Sequence, residues 1–127
     1  MDLVPWDETP ECFLRETDFK RGNVVQLIVD AGRLDDLRHH EQLIKTADLI
    51  FIDAAKDGRL GRNILGNLET IGLQAGALVL FDDIRVWNML KIWQEISRPK
   101  LDLTSFGHYS GTGLVAWSPP DEVETTT

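Results

Sequence analysis

Three aspartates in this chain directly follow apolar segments. Asp53 ends the segment ADLIFID, and Asp82 and Asp83 end the segment GALVLFDD, which begins 23 residues after Asp53. Carboxylates are the usual protein ligands of hard cations such as Mg²⁺ and Ca²⁺, and they also orient the polar groups of ligands. The chemistry that these residues suggest is therefore the binding of a cation or the orientation of a polar ligand.

The apolar segments that precede these aspartates predict the elements that position them. Residues 49–52 (LIFI) and 77–81 (ALVLF) are continuous apolar runs without alternation, which is typical of strands buried on both faces of a parallel sheet. In open α/β sheets, ligands bind outside the carboxyl ends of the strands. We therefore expect Asp53, Asp82 and Asp83 to meet at one pocket.

Composition and charge exclude several classes of protein. The chain has 127 residues, which predicts one main domain, and its net charge of −8 argues against a nucleic-acid-binding surface. It has no apolar run long enough to span a membrane and no basic-then-apolar leader, so we expect neither a membrane association nor a signal peptide. The single Cys12 forms no internal disulfide, which fits a cytoplasmic protein.

Predicted strands and helices alternate along the chain. Strands are expected at residues 2–6, 24–29, 49–52, 77–81, 101–106 and 113–117, and helices at residues 10–19, 34–46, 60–71 and 86–97. This order predicts an α/β fold in residues 1–118, with a mostly parallel sheet, helices on both faces and a C-terminal antiparallel hairpin. Residues 119–127 (PPDEVETTT) have too few apolar side chains to pack, and we expect them to be disordered.

Three motifs resemble a known family. ADLIFIDAAKDG (residues 47–58), GLQAGALVLFDDI (72–84) and GHYSGTGLVAW (107–117) are similar to the later two-thirds of class I S-adenosylmethionine-dependent methyltransferases. The likeness is greatest to catechol-type O-methyltransferases and to related bacterial enzymes with an FDDI-like motif. The resemblance implies a Rossmann-like sheet, S-adenosylmethionine as cofactor and methyl transfer to a small hydroxyl-bearing acceptor.

The resemblance also implies roles for individual residues near the acceptor. In the metal-dependent members, Asp53 matches a ligand of a divalent cation such as Mg²⁺, and Lys56 matches the general base that takes the proton of the acceptor hydroxyl. An Asp-Asn pair on the metal corresponds to Asp82 and Asp83, so the second position departs from the family pattern. The added charge either tightens the cation site or marks the branch without metal, where Asp83 binds substrate or caps a helix.

On the cofactor side, the resemblance places Asp30 and Ala31 near the adenine and Asp7 near the ribose hydroxyls. The glycine-rich loop that holds the cofactor in this family, together with the strand before it, has no counterpart in the sequence. That strand is normally central in the sheet. We therefore expect that the sheet closes over the gap, that a second copy or a partner chain fills it, or that the chain is a marginally stable fragment.

Two other classes remain open at the level of sequence. The chain is also compatible with a non-catalytic remnant, or with a subunit that needs a partner to supply the glycine loop. A flavodoxin-like binding domain with an acidic pocket is the other alternative, although the closing hairpin fits that fold badly. Aspartates at strand ends are also common turn formers and helix caps, which is the structural interpretation of Asp53, Asp82 and Asp83.

Overall fold

The computed structural model describes residues 1–10, 12–54 and 57–117 of the chain. The described helices are α1 (Glu16–Phe19), α2 (Leu34–Arg38), α3 (Glu41–Lys45), α4 (Arg59–Ile71) and α5 (Met89–Glu95), with short 3₁₀ helices at Trp6–Glu8 and Thr104–Phe106. The described strands are β1 (Leu49–Ile52), β2 (Leu78–Asp82), β3 (Lys100–Asp102) and β4 (Thr112–Ala116). The predicted alternation of strands and helices is thus present from α2 onward, and the predicted tail lies outside the described residues.

The four strands form one mixed sheet in the order β1-β2-β4-β3. Strands β1 and β2 pair in parallel, and β4 pairs antiparallel with both β2 and β3. The predicted antiparallel hairpin is therefore present, but its last strand lies inside the sheet rather than at the edge. Among the three strand pairings of this sheet only β1 with β2 is parallel, so the expectation of a mostly parallel sheet is met only loosely.

The two strands predicted nearest the N-terminus do not join this sheet. They meet in a single parallel bridge between Asp2 and Ile28, with the Asp2 amide donating to the Leu27 carbonyl and the Val29 amide donating to the Asp2 carbonyl, both at 2.9 Å. No described strand lies between this bridge and β1. Two extended segments that pair only with each other are marginally stable, because no further strand adds hydrogen bonds to them. This explains why the β-prone residues 24–29 form so little strand.

Several predicted helices are shorter than expected. Helix α1 covers only the end of the predicted 10–19 helix, and it buries no residue. Without packing, a longer helix has little to offset its nucleation cost. The predicted 34–46 helix is divided into α2 and α3, and α5 begins after Trp87, whose φ of 48° is not helical. Helix α4 matches its prediction within one residue and ends at Gly72, as expected.

The hydrophobic core lies on one face of the sheet. Strand register places Ile50, Val79 and Val115 in one row, and Ile52 and Phe81 in the next. These side chains pack in one cluster with residues from four helices, namely Leu37, Ile44, Ile64, Leu68, Ile71 and Trp93. Trp93 lies directly over β4, where a Cβ on Gly113 would come within 2.5 Å of the indole ring. Helices α2 to α5 therefore cover this face.

The opposite face of the sheet is largely open to solvent. The alternate residues of each strand point to this face, and the exposed fractions of Leu49, Phe51 and Leu101 are 56, 58 and 61%. We expected helices on both faces. In the described part of the chain, every helix that contributes to the core cluster packs against the core face of the sheet, and none of them covers the open face. None of these helices combines the length and the apolar character needed to cross a membrane.

Candidate functional site

The three aspartates singled out in the sequence lie together at one end of the sheet. One carboxylate oxygen from each of Asp53, Asp82 and Asp83 lies within 4.8 Å of the others. Asp53 is exposed, whereas Asp82 and Asp83 are half-buried. Each side chain also interacts with other groups of the protein. The structure thus brings together the three residues that sequence analysis grouped as metal ligands.

Strand register explains why Asp53 and Asp82 are neighbours. Ile52 pairs with Phe81 in the parallel β1–β2 ladder. Asp53 and Asp82 follow these two residues and therefore lie side by side at the carboxyl ends of the two strands. Side chains at the carboxyl ends of adjacent parallel strands converge in this way in many α/β binding sites. The pairing of β1 with β2, rather than any local motif, therefore produces the contact between the two acids.

Asp83 takes its place in the cluster through an unusual backbone conformation. Its φ is 58°, in the left-handed region that aspartate tolerates better than most residues. The Asp83 amide donates to the Gly111 carbonyl at 2.8 Å, and the Arg85 amide donates to the Ser110 carbonyl at 2.9 Å. The turn before β4 therefore holds the loop after β2 in the conformation that directs Asp83 toward its neighbours.

Gly111 makes this contact sterically feasible. Its φ is 96°, and a Cβ at this position would lie 2.8 Å from Ile84 Cγ1 and 2.9 Å from Arg85 Cγ. Only glycine combines this backbone conformation with so close an approach. The predicted hairpin of residues 101–106 and 113–117 implies a turn that includes Gly111. It gives no sign that this glycine supports the acidic cluster, because the contact with Asp83 spans 28 residues of chain.

A second set of contacts fastens the same loop to β3. The Arg85 side chain forms an ion pair with Asp102 and donates from Nε to Thr104 Oγ1 at 3.2 Å. Hydrogen bonds from the Thr104 hydroxyl and amide, with a smaller effect of Arg85, lower the pKa of the Asp102 carboxyl. These polar contacts surround the loop that carries Asp83 but do not include the acidic cluster itself.

The donor set of the cluster is chemically suited to a hard cation. Two oxygens on opposite sides of a Ca²⁺ ion, at its usual ligand distance, are about 5 Å apart, and those around Mg²⁺ are closer. The limit of 4.8 Å between the carboxylate oxygens falls within the range for Ca²⁺. Three carboxylates in such proximity repel one another, and a shared cation is one way to offset that repulsion.

The residues expected near the cofactor are only partly brought together. Asp30, Ala31 and Asp53 line one cavity of about 370 Å³, whereas Asp7 lies in the Trp6–Glu8 turn and is not among the described residues of that lining. Asp30 accepts a hydrogen bond at Oδ1 from the Gly32 amide at 2.9 Å. Asp30 and Ala31 therefore share a cavity with Asp53 of the acidic cluster, and Asp7 does not.

One residue that supports this cavity was not identified from the sequence. Asn67, in the middle of α4, donates from Nδ2 to the Ala31 carbonyl at 3.0 Å. The two residues are 36 positions apart in the chain, and a polar residue on an amphipathic helix carries no signal of such a contact. The predicted general base, Lys56, lies outside the described residues.

Comparisons with known proteins do not assign the chain to a family. No protein-family model matches it, and no curated protein matches it either.

Proposed function

We propose that this chain is an S-adenosylmethionine-dependent methyltransferase, or the C-terminal portion of one, that acts on a small hydroxyl-bearing acceptor. The observation that carries the proposal is the convergence of Asp53, Asp82 and Asp83 at the ends of two adjacent parallel strands. The motif resemblance described above independently assigns the same three positions to the metal and acceptor side of a methyltransferase site.

The residues of the cluster have clear roles in this reaction. The acceptor oxygen must lie in line with the methyl group, and most of the rate enhancement comes from such positioning. A divalent cation held by the three carboxylates would lower the pKa of a bound hydroxyl. Lys56 is proposed to take the hydroxyl proton as the oxygen forms its bond to the methyl carbon and the bond from sulfur to that carbon breaks.

The cavity next to the cluster is proposed to hold part of the cofactor. Asp30 and Ala31 line it together with Asp53, so one of the proposed metal ligands shares the cavity with the proposed cofactor residues. Asp30 offers a carboxylate for polar groups, and the backbone of Ala31 is held in place by Asn67. In this proposal Asp7 contacts the ribose only after the N-terminal segment changes position.

A second candidate is a subunit that completes its site with another polypeptide. The observation that favours it is the outer edge of β1, which pairs with no strand among the described residues. A flavodoxin-like domain is less well supported, because β4 lies antiparallel inside the sheet, whereas that fold has a parallel sheet.

Calorimetric titration separates these candidates. We expect the chain to bind S-adenosylmethionine, and to bind Mg²⁺ or Ca²⁺ with an affinity that Asp82→Asn lowers at least tenfold. Asp35→Asn removes the same charge from an exposed position in α2 and serves as the matched control. Cation binding without cofactor binding favours the subunit, and the absence of both contradicts the proposal.

The role of Lys56 requires an assay of turnover. In a preparation that transfers methyl groups, Lys56→Met is expected to abolish activity while leaving cofactor affinity within about twofold. Turnover at the unchanged rate in that variant would remove Lys56 from the reaction.

A further inference from the structure

The two edges of the sheet differ in how they are protected from pairing with other strands. Edge strand β3 has three residues and carries the charged side chains of Lys100 and Asp102, which are features that discourage further pairing. Edge strand β1 consists of four apolar residues, LIFI, with no charge inside the strand. The β1 edge is therefore an open position for another strand.

An apolar groove follows the open edge of β1. It has a volume of about 280 Å³, and its described lining includes all four residues of β1 together with helix side chains such as Leu37, Ile44 and Leu68. Met1 and Ala31 also belong to the lining, so the groove lies between β1 and the N-terminal segments. It continues into the cavity of about 370 Å³ that holds Asp30 and Asp53.

Two short extended segments of the chain lie near the groove. Asp2 and Ile28 form a parallel bridge that is separate from the sheet, and the segment after Ile28 reaches the same cavity as the end of β1. An extended segment placed along β1 would meet the backbone groups at the open edge of that strand, which makes a strand a better occupant than a helix.

The acidic side chains of the cavity favour an occupant with a positive charge. Asp2 and Asp30 line the cavity of about 370 Å³, and its described lining contains neither lysine nor arginine. The hydrogen bonds to Asp2 and Asp30 come from neutral donors, which are Gln26 Nε2 at 2.8 Å and the Gly32 amide at 2.9 Å. An occupant with a positive charge at this end of the groove complements these carboxylates.

A second copy of the chain is a poor fit to the same edge. Two β1 strands related by a two-fold axis would pair antiparallel, which would place Asp48 of each copy beside Asp53 of the other. Like charges directly opposite each other destabilise a strand pair. Each copy also carries a net charge of −8, so the long-range repulsion acts in the same direction.

We propose that the edge of β1 binds an extended, apolar segment of another polypeptide that carries lysine or arginine where it reaches Asp2 and Asp30. The bound segment extends the sheet beyond β1 and covers the groove. This proposal does not rest on methyl transfer, since it follows from the edge, the groove and the charge alone.

The test uses a short labelled peptide of alternating valine and threonine with lysines at both ends. Fluorescence anisotropy with the full chain should detect binding at least tenfold tighter than that of the same peptide with glutamates at its ends. N-methylation of alternate peptide amides removes strand hydrogen bonds and should weaken binding at least tenfold. Hydrogen exchange should slow at the amides of residues 49–52 when the lysine peptide binds.

Two variants locate the binding surface. Phe51→Ser removes an exposed apolar side chain from β1, and Leu101→Ser removes one from the other edge strand, β3. The first should weaken peptide binding at least fivefold and the second should not change it. Equal binding of the lysine and glutamate peptides, equal effects of the two variants, or a dimer that Phe51→Ser dissociates would each overturn the proposal.

Discussion

Gly111 is the residue on which the geometry of the acidic cluster depends most directly. Gly111→Ala forces a side chain into a left-handed conformation and against Ile84 and Arg85, so we expect the free energy of unfolding to fall by about 2–4 kcal/mol. Urea denaturation measures the change. Gly66→Ala is the matched control, because a Cβ there meets nothing within 4 Å, and in the middle of α4 it should stabilise the chain by up to about 1 kcal/mol.

Asp102 makes the stability of the loop that carries Asp83 sensitive to acid. Its pKa is lowered in the folded protein by hydrogen bonds from Thr104 and by Arg85, so the ionised carboxyl stabilises the fold. This contribution is present above the pKa of the unfolded chain, at about pH 4, and is lost as the pH falls through the lower folded value.

Asp102→Asn should therefore reduce the free energy of unfolding at pH 7 and have a smaller effect at pH 3. Denaturation curves at several pH values for both proteins measure this difference. Asp35→Asn, which removes an exposed charge from α2, controls for net charge. A difference between the Asp102→Asn protein and the unaltered chain that is constant from pH 7 to pH 3 would contradict the assignment.

At the scale of elements, replacing phenylalanine by alanine should destabilise the protein far more on one face of the sheet than on the other. Phe81 is 1% exposed among core side chains, whereas Phe51 is 58% exposed on the open face. Phe81→Ala should cost about 3–5 kcal/mol of stability through lost burial and a cavity. Phe51→Ala should cost less than about 1 kcal/mol. Thermal or urea denaturation of the two variants compares them directly, and similar losses would mean that the open face is covered in solution.

The elements that sequence analysis located well are those stabilised by their own burial pattern. Strand β1 was predicted at its observed limits, and β2 and α4 within one residue, because continuous apolar runs and a helical apolar period specify them locally. The N-terminal strands were not located well. Residues 24–29 are β-prone, but strand formation requires a neighbouring strand, and in the described structure they find only Asp2.

At the scale of the whole molecule, the helices on one face leave an apolar sheet surface exposed on the other. Contiguous apolar patches larger than a few hundred Å² are unusual on the surface of monomeric proteins, and they mark surfaces that other groups cover. We expect the chain to bind an anionic hydrophobic dye in its folded state, with increased fluorescence. The double variant Phe51→Ser, Leu101→Ser should reduce this fluorescence at least twofold. Its free energy of unfolding should change by no more than about 1 kcal/mol. Unchanged fluorescence would place the dye elsewhere.

The sequence alone was sufficient to predict an α/β chain with Asp53, Asp82 and Asp83 at strand ends, because apolar runs and the positions that end them are local properties. It could not determine which strands pair, which face the helices cover, or which distant groups fasten the loops. Those properties depend on contacts such as Asp83 with Gly111 and Asn67 with Ala31, which join residues 28 and 36 positions apart. The strand ends thus made the convergence of the three aspartates predictable. The contacts that hold Asp83 in place, the cavity beside Asp53 and the open edge of β1 were not predictable, since each results from packing between segments that are remote in the chain.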